Sequence, residues 1–279
     1  MGYRKRTRKF PRAIEVTELH DDRHRWPGRQ RAERKKPTPE SMQRANLRRR
    51  EDKARWKLRE YFKEDDNWFR LSYDPEQRPP DMKTAREHFG KFIRKLKREY
   101  MKRGYELYWM KNIEVGSRNA WHVHLIFNEL PDANILKIVK QLWPYGDVAG
   151  HLCYEKGEFE ALAKYVTKTP KTPGYEKRLR ETHFSTSQNM PLKDPEETTI
   201  RRFDTFMEKD VRNYHKGWYV DKSSVVEGIN PYTGWPFRKY TLYPLDKKKA
   251  QARTEEHLRG LREITDHKGN PRKRRRKKC

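Results

Sequence analysis

The sequence predicts an α+β chain organised on an antiparallel sheet, with its helices backing one face of that sheet. Three observations lead there. Between about residues 67 and 167 the apolar residues concentrate and their periodicity switches in the order strand, helix, strand, strand, helix, strand. Turn formers fall at the switches. Over the whole chain charge prevails: Lys and Arg number 67 against 40 Asp and Glu, a formal net charge of +27, and only 33% of the 279 residues are hydrophobic.

Each element has its own signal. NWFRLSY (67–73) is an apolar and aromatic run ending at Asp74-Pro75, which reads as a strand bounded by a turn. Over 82–103, Phe89, Phe92, Ile93, Leu96 and Tyr100 recur at spacings of three and four, the stripe of an amphipathic helix, and Gly104 stops it. Residues 105–115 and 120–127 read as two strands around Gly116, Ser117 and Asn119. Asp132 is placed to cap a helix running to about Trp143, and 147–154 makes a fourth strand. A helix from about Glu158 to Lys168 follows. The order matches the split β-α-β plan of ferredoxin-like domains, whose uncovered sheet face is where a ligand sits. That plan hosts many activities, RNA-binding modules among them, so residues must decide the function.

The flanks divide as follows. Residues 1–38 are rich in Arg and Lys with no evident periodicity, and predict a basic, disordered arm. Residues 39–66 hold an N-terminal helix with sparse apolar positions, and 67–190 the core. Residues 191–246 add a helix over 201–215 and strands on either side of NPYTGWP (230–236), extending the core, and 247–279 form a basic tail ending in PRKRRRKKC. Cys153 and Cys279 are too few for a disulfide framework and lack zinc-ligand spacing, which points to a reducing cytosol. No run of 18 apolar residues calls for a membrane. The charge excess calls for a polyanion, with Arg4–Lys9 and Arg272–Lys278 as phosphate contacts, whereas Trp68, Trp109 and Trp121 read as core. No GxxxxGK[ST] phosphate loop is present.

In AWHVHLIF, Trp121, Val123, Leu125 and Phe127 share one side of a strand and His122 and His124 the other. With the hairpin centred near Arg118, residues whose numbers sum to 236 stand opposite, so Glu114 faces His122. Two imidazoles and a carboxylate suit a divalent ion, Mn²⁺ or Mg²⁺. An iron oxygenase also uses that donor set, but nothing in so basic a chain suggests an oxidation substrate, and a cross-strand ion pair of Glu114 with His122 is the plain structural alternative. In ALAKYVTKTP, Tyr165 and Lys168 lie three apart, on one helix face. Beside a metal, a tyrosine with a nearby ammonium makes a nucleophile; alone, the spacing is commonplace.

An HxH strand followed some forty residues later by YxxK on a helix resembles the HUH endonuclease superfamily. Within it, the chain is similar to rolling-circle replication initiators (Rep) of bacterial plasmids, integrative elements and single-strand DNA phages. The resemblance runs from about residue 45 to 245, through YFKEDDNWFRLSYD (61–74), KFIRKLKREY (91–100), NIEVGSRNAWHVHLIFN (112–128), LAKYVTK (162–168), FSTSQNMP (184–191) and GINPYTGWPFRKY (228–240). It implies an HUH-type fold and a metal-dependent nickase and strand transferase. Tyr165 would be the nucleophile, His122, His124 and Glu114 metal ligands, and Lys168 a charge-stabilising group. It further implies single-stranded or hairpin origin DNA as substrate, host helicase and polymerase as partners, and a bacterial cytoplasm as setting. Two features depart from the family. Arg70 and Ser72 stand where members often have Leu and Thr, and position 161 is Ala, so a single-tyrosine enzyme is expected. A relaxase or single-tyrosine transposase would share the chemistry, and a non-catalytic nucleic-acid-binding protein would share the charge.

Overall fold

The computed structural model describes residues 3–20, 32–153, 159–175, 177–200, 211 and 215–264. They form an α+β chain that divides into two compact units, one of Met1–Arg49 with Leu192–Thr254 and one of Arg50–Pro191 with Glu255–Cys279. Each unit holds a five-stranded antiparallel sheet. No helix among the described residues is long and apolar enough to cross a membrane.

In the first unit, β1 (Tyr3–Lys9) and β2 (Ile14–His20) pair antiparallel where a disordered arm was expected. The reason lies in the partners rather than in either strand. Ile14 and Val16 alternate inward and pack with Tyr240 and Leu242. Next to them Lys5, Glu18, Arg238 and Glu227 stand in one row across four strands, so charge alternates in sign from strand to strand. Arg238 pairs with Glu227 at 2.7 Å, and the Tyr240 hydroxyl donates to Glu18 at 3.1 Å. At the edge, Arg4 and Arg6 both reach Glu197 of β8 (Glu196–Ile200). A β9 (Trp218–Ile229) to β10 (Pro236–Pro244) hairpin flanks the turn at 230–235 as expected, but it pairs with β2 in this sheet instead of extending the core. The expected helix over 201–215 falls almost wholly outside the described residues.

In the second unit the sheet order is β6-β3-β5-β4-β7, from β3 (Asn67–Ser72), β4 (Trp109–Gly116), β5 (Trp121–Phe127), β6 (Val148–Leu152) and β7 (Leu179–Thr186). One face is covered by α2 (Met82–Arg103) and α3 (Ile135–Leu142). Phe89, Phe92, Leu96 and Tyr100 of α2 meet Phe69, Leu71, Ile113, Val123, Leu125 and Phe127 there. Asp81 caps α2 by accepting from the Thr84 amide, and Gly104 ends it at φ 84°, a left-handed conformation costly to any side chain. Asn134, not Asp132, caps α3, accepting from the Lys137 amide, while Asp132 takes a left-handed turn at φ 56°.

The expectation of helices on one face alone is overturned. On the second face Trp68, Met110, Ile126 and Phe184 make an apolar patch at one end of the sheet. Leaving it wet would forgo about 25 cal/mol per Å² of burial. α4 (Glu160–Thr167) covers it with Leu162, Ala163 and Val166, and α1 (Pro39–Tyr61) joins through Ala54, Leu58 and Tyr61. The expected basic tail is also partly structured. α5 (Lys247–Arg262) buries Leu258, and Arg262 pairs with the fully buried Asp66, whose carboxylate also accepts from the Lys63 and Glu129 amides. Residues 265–279 lie outside the described set.

Candidate active site

The second face of the β3–β5–β4 sheet is built in rows of directly opposed residues, which share a face. The apolar end row is His151, Trp68, Ile126, Met110 and Thr186. Next comes Ala149, Arg70, His124, Asn112 and Phe184, then Ser72, His122, Glu114 and Thr182. Because the end row anchors α4, Tyr165 on that helix is carried over the middle row. Its ring packs edge-on to Trp68 at 5.4 Å and to His124 at 5.1 Å. The helix begins at Phe159, buried and held at φ 52°. A conformation that costs a bulky residue ~1–3 kcal/mol persists there because burial of the ring over-determines it.

Beneath Tyr165 lies a buried polar cluster. Glu114 stands opposite His122 as the hairpin arithmetic requires, but its side chain turns diagonally, placing Oε2 3.3 Å from His124 Nε2. Its Oε1 lies 2.9 Å from Lys168 Nζ. Glu114 and Lys168 are each only 4% exposed, so this ion pair is shielded from water and from salt. Lys168 is not on the helix with Tyr165: it is the residue just past the end, with ψ at 149°. That departure folds the ammonium back under the Tyr165 ring, 3.6 Å from its centre, with the Tyr175 ring on another side at 5.2 Å. Asn112 Nδ2 donates to Glu114 Oε1 and to the Lys168 carbonyl, both at 3.3 Å. The Tyr165 hydroxyl lies 3.4 Å from each ring nitrogen of His124.

Electrostatics follow the burial. Burial would raise the Glu114 carboxyl, but His124 and Lys168 outweigh it and hold it below its ordinary value. Burial lowers Lys168, and Glu114 only partly restores it. Burial, with the charges of His124 and Arg70 added, lowers His122 and keeps it neutral at pH 7. The Tyr165 phenol is pushed up to about 12 by burial first, then by Glu114 and Tyr175, with Arg70 opposing.

The structure therefore gathers Glu114, His122, His124, Tyr165 and Lys168 on one face. It does not aim the three expected metal ligands at one point: both Glu114 oxygens are engaged by neighbours, and among the described residues no three His, Cys, Asp or Glu side chains form a group that could hold a metal. Asn112 was not anticipated, although the sum rule that places Glu114 opposite His122 also places residue 112 opposite 124. No sequence signal pointed to Tyr175, which a turn with Thr169 and Thr172 brings back to the site. Of the three tryptophans expected in the core, Trp121 is buried and Trp109 packs against the same core, but Trp68 lies against Tyr165.

Residues 66–170, the stretch from the buried Asp66 through α4 to just past Lys168, match the family model of Replication-associated protein ORF2/G2P. The matched stretch is similar to replication-associated (Rep) proteins. That match includes all five residues expected at the site, and it supports a part in replication, for which DNA is the partner. No curated protein and no solved structure matches the chain.

Proposed function

We propose that this protein is an HUH-type Rep initiator that nicks single-stranded origin DNA through Tyr165 and later rejoins the strand. The observation that carries the reading is the Tyr165 hydroxyl at the surface of the sheet, 3.4 Å from His124, with its ring on the Lys168 ammonium. The β6-β3-β5-β4 order, in which β5 lies between β3 and β4, supports a ferredoxin-like core.

In this mechanism Glu114 and Asn112 hold Lys168 under the ring, and the cation favours the phenolate over the phenol. As the Tyr165 Oη–phosphorus bond forms, the phenol proton passes to solvent water. The bond to the 3′-oxygen breaks, and that oxygen takes a proton to leave as a 3′-OH. The 5′ end stays on the protein as a phosphotyrosine, and the 3′-OH is free to prime synthesis. A second 3′-OH can attack the phosphotyrosine and reseal the DNA, since the ester keeps the energy of the original bond.

The residues also fit a divalent ion by their chemistry: His122 is neutral and its Nδ1 is buried with no internal partner, beside a second imidazole and a carboxylate. Glu114, His122 and His124 would hold it, and bound Mn²⁺ or Mg²⁺ would polarise the scissile phosphate. With no phosphate loop in the sequence, unwinding falls to a host helicase and extension to a host polymerase, in the cytoplasm of a bacterial host.

The test is a denaturation-resistant adduct between the protein and labelled single-stranded DNA in Mn²⁺. Tyr165→Phe removes one oxygen and should abolish both adduct and strand joining while DNA binding persists. An undiminished adduct in Tyr165→Phe would refute the assignment. Tyr154, the nearest alternative in sequence, lies outside the described residues, and Tyr154→Phe serves as the control.

A further inference from the structure

The cluster under Tyr165 is electrically closed. Lys168, its buried cation, is tied to Glu114 at 2.9 Å, and the neutral His122 imidazole stands beside the pair. A phosphodiester arriving over Tyr165 brings one negative charge, and attack by the phenolic oxygen adds negative charge to the phosphoryl oxygens. A cation must meet that charge, and Lys168 is already occupied.

Arg70 is placed to do so. It sits on β3 in the middle row, directly opposite His124 on one side and Ala149 on the other. Directly opposed residues have Cβ atoms ~5 Å apart, so a guanidinium on its long stem reaches beyond His124. Its charge is felt at both His122 and Tyr165, where it favours the deprotonated form of each. Arg70 is exposed, and it makes no ion pair or hydrogen bond among the described residues. Arg4, Arg6 and Arg238 on the strands of the other sheet, by contrast, pair with glutamates, and Arg8 there donates to the Lys193 carbonyl. A planar fork of donors left free beside the nucleophile matches the two non-bridging oxygens of a phosphodiester.

We propose that Arg70 is the phosphate clamp of this site: its guanidinium takes both non-bridging oxygens of the scissile phosphodiester and holds the phosphorus over Tyr165 Oη. The inference rests on Tyr165 being the nucleophile. It assigns a catalytic role to a residue that stands where the resembling initiators often carry an uncharged one.

The experiment uses the full chain and an oligonucleotide selected from a random single-stranded pool by adduct formation with the unsubstituted protein. At saturating DNA, Arg70→Ala should slow adduct formation about 10²-fold, the usual cost of losing one transition-state donor. Arg70→Lys should recover only part of the rate, because a point charge lacks the fork. The same oligonucleotide with a methylphosphonate at the cut position lacks the charged oxygen pair. On it, the Arg70→Ala loss should shrink to less than about 3-fold, as expected when two changes remove one interaction. An undiminished loss on the methylphosphonate, or a substitution that weakens binding and leaves the saturated rate intact, would overturn the clamp. Absence of any adduct from the unsubstituted protein, or an adduct in Tyr165→Phe, would overturn the nucleophile reading and the clamp with it. Thermal unfolding of Arg70→Ala should match the parent, since the side chain is exposed.

Discussion

Lys168→Met tests the buried cluster directly. The substitution keeps the aliphatic stem and removes an ammonium 2.9 Å from Glu114 Oε1, where both partners are 4% exposed. Breaking a buried pair by removing one member costs about 3–5 kcal/mol, because the remaining charge stays buried without compensation. Two features reduce the figure here. Glu114 keeps His124 at 3.3 Å and Asn112 at 3.3 Å, and Lys168 no longer bears the desolvation that lowers its own pKa. The expected loss is therefore about 2–3 kcal/mol at pH 8. Its pH dependence follows from Glu114. In the parent the carboxyl is held below its ordinary value of 4.5, so it contributes stability above that value, lost as pH falls through the folded pKa. Without Lys168 burial gains weight and the carboxyl moves up, so parent and variant should converge on acidification. Urea unfolding at pH 8 and at pH 4.5 measures both effects. Lys168→Met with Glu114→Gln should recover most of the loss, as a neutral amide needs no cation. A single-variant cost below about 0.5 kcal/mol at pH 8, or a double variant that costs the sum of the two, would refute the shielded pair.

Three further outcomes follow from the structure and the charge. Lys111, buried beneath α2 with Nζ 3.0 Å from His183 Nδ1, is pushed down to about 7, mainly by burial and further by Arg86. Between that value and its ordinary 10.5 the unfolded chain holds a proton that the folded chain does not, so stability should rise with pH across this window, by up to ~1.4 kcal/mol per unit. Lys111→Met should flatten that rise in urea unfolding at pH 7, 8 and 9, and an unaltered slope would show the rise to come from other groups. His122→Ala and excess chelator should each stop strand cleavage while leaving most DNA binding, and full cleavage in chelator would dispose of the divalent ion. Removing residues 271–279, a segment with seven Lys and Arg, should flatten the dependence of DNA affinity on salt without slowing adduct formation, and an unchanged slope would show that the segment does not touch phosphates.

Local pattern alone determined a good deal of this protein. The stripe of Phe89, Phe92, Leu96 and Tyr100 and the glycine after it bound α2 to the residue, because helix periodicity and a left-handed cap are properties of neighbours in sequence. The tight turn after Gly116 sets the register that places Glu114 opposite His122, since a side-chain period of two leaves no freedom once one pair is fixed. Tertiary structure decided what depends on distant partners. β1 and β2 look like a solvated basic arm because many of their charges meet partners such as Glu196, Glu197 and Arg238, some two hundred residues away. α3 starts at Asn134 rather than Asp132 because the backbone takes a left-handed turn first. The sheet is covered on both faces because Trp68, Ile126, Met110 and Phe184, each unremarkable on its own strand, form one apolar patch only when four strands lie side by side. That patch carries Tyr165 to His124. The sequence named both residues, but burial and register across four strands brought them together, and the same register leaves Arg70 beside them with its charge unpaired among the described residues.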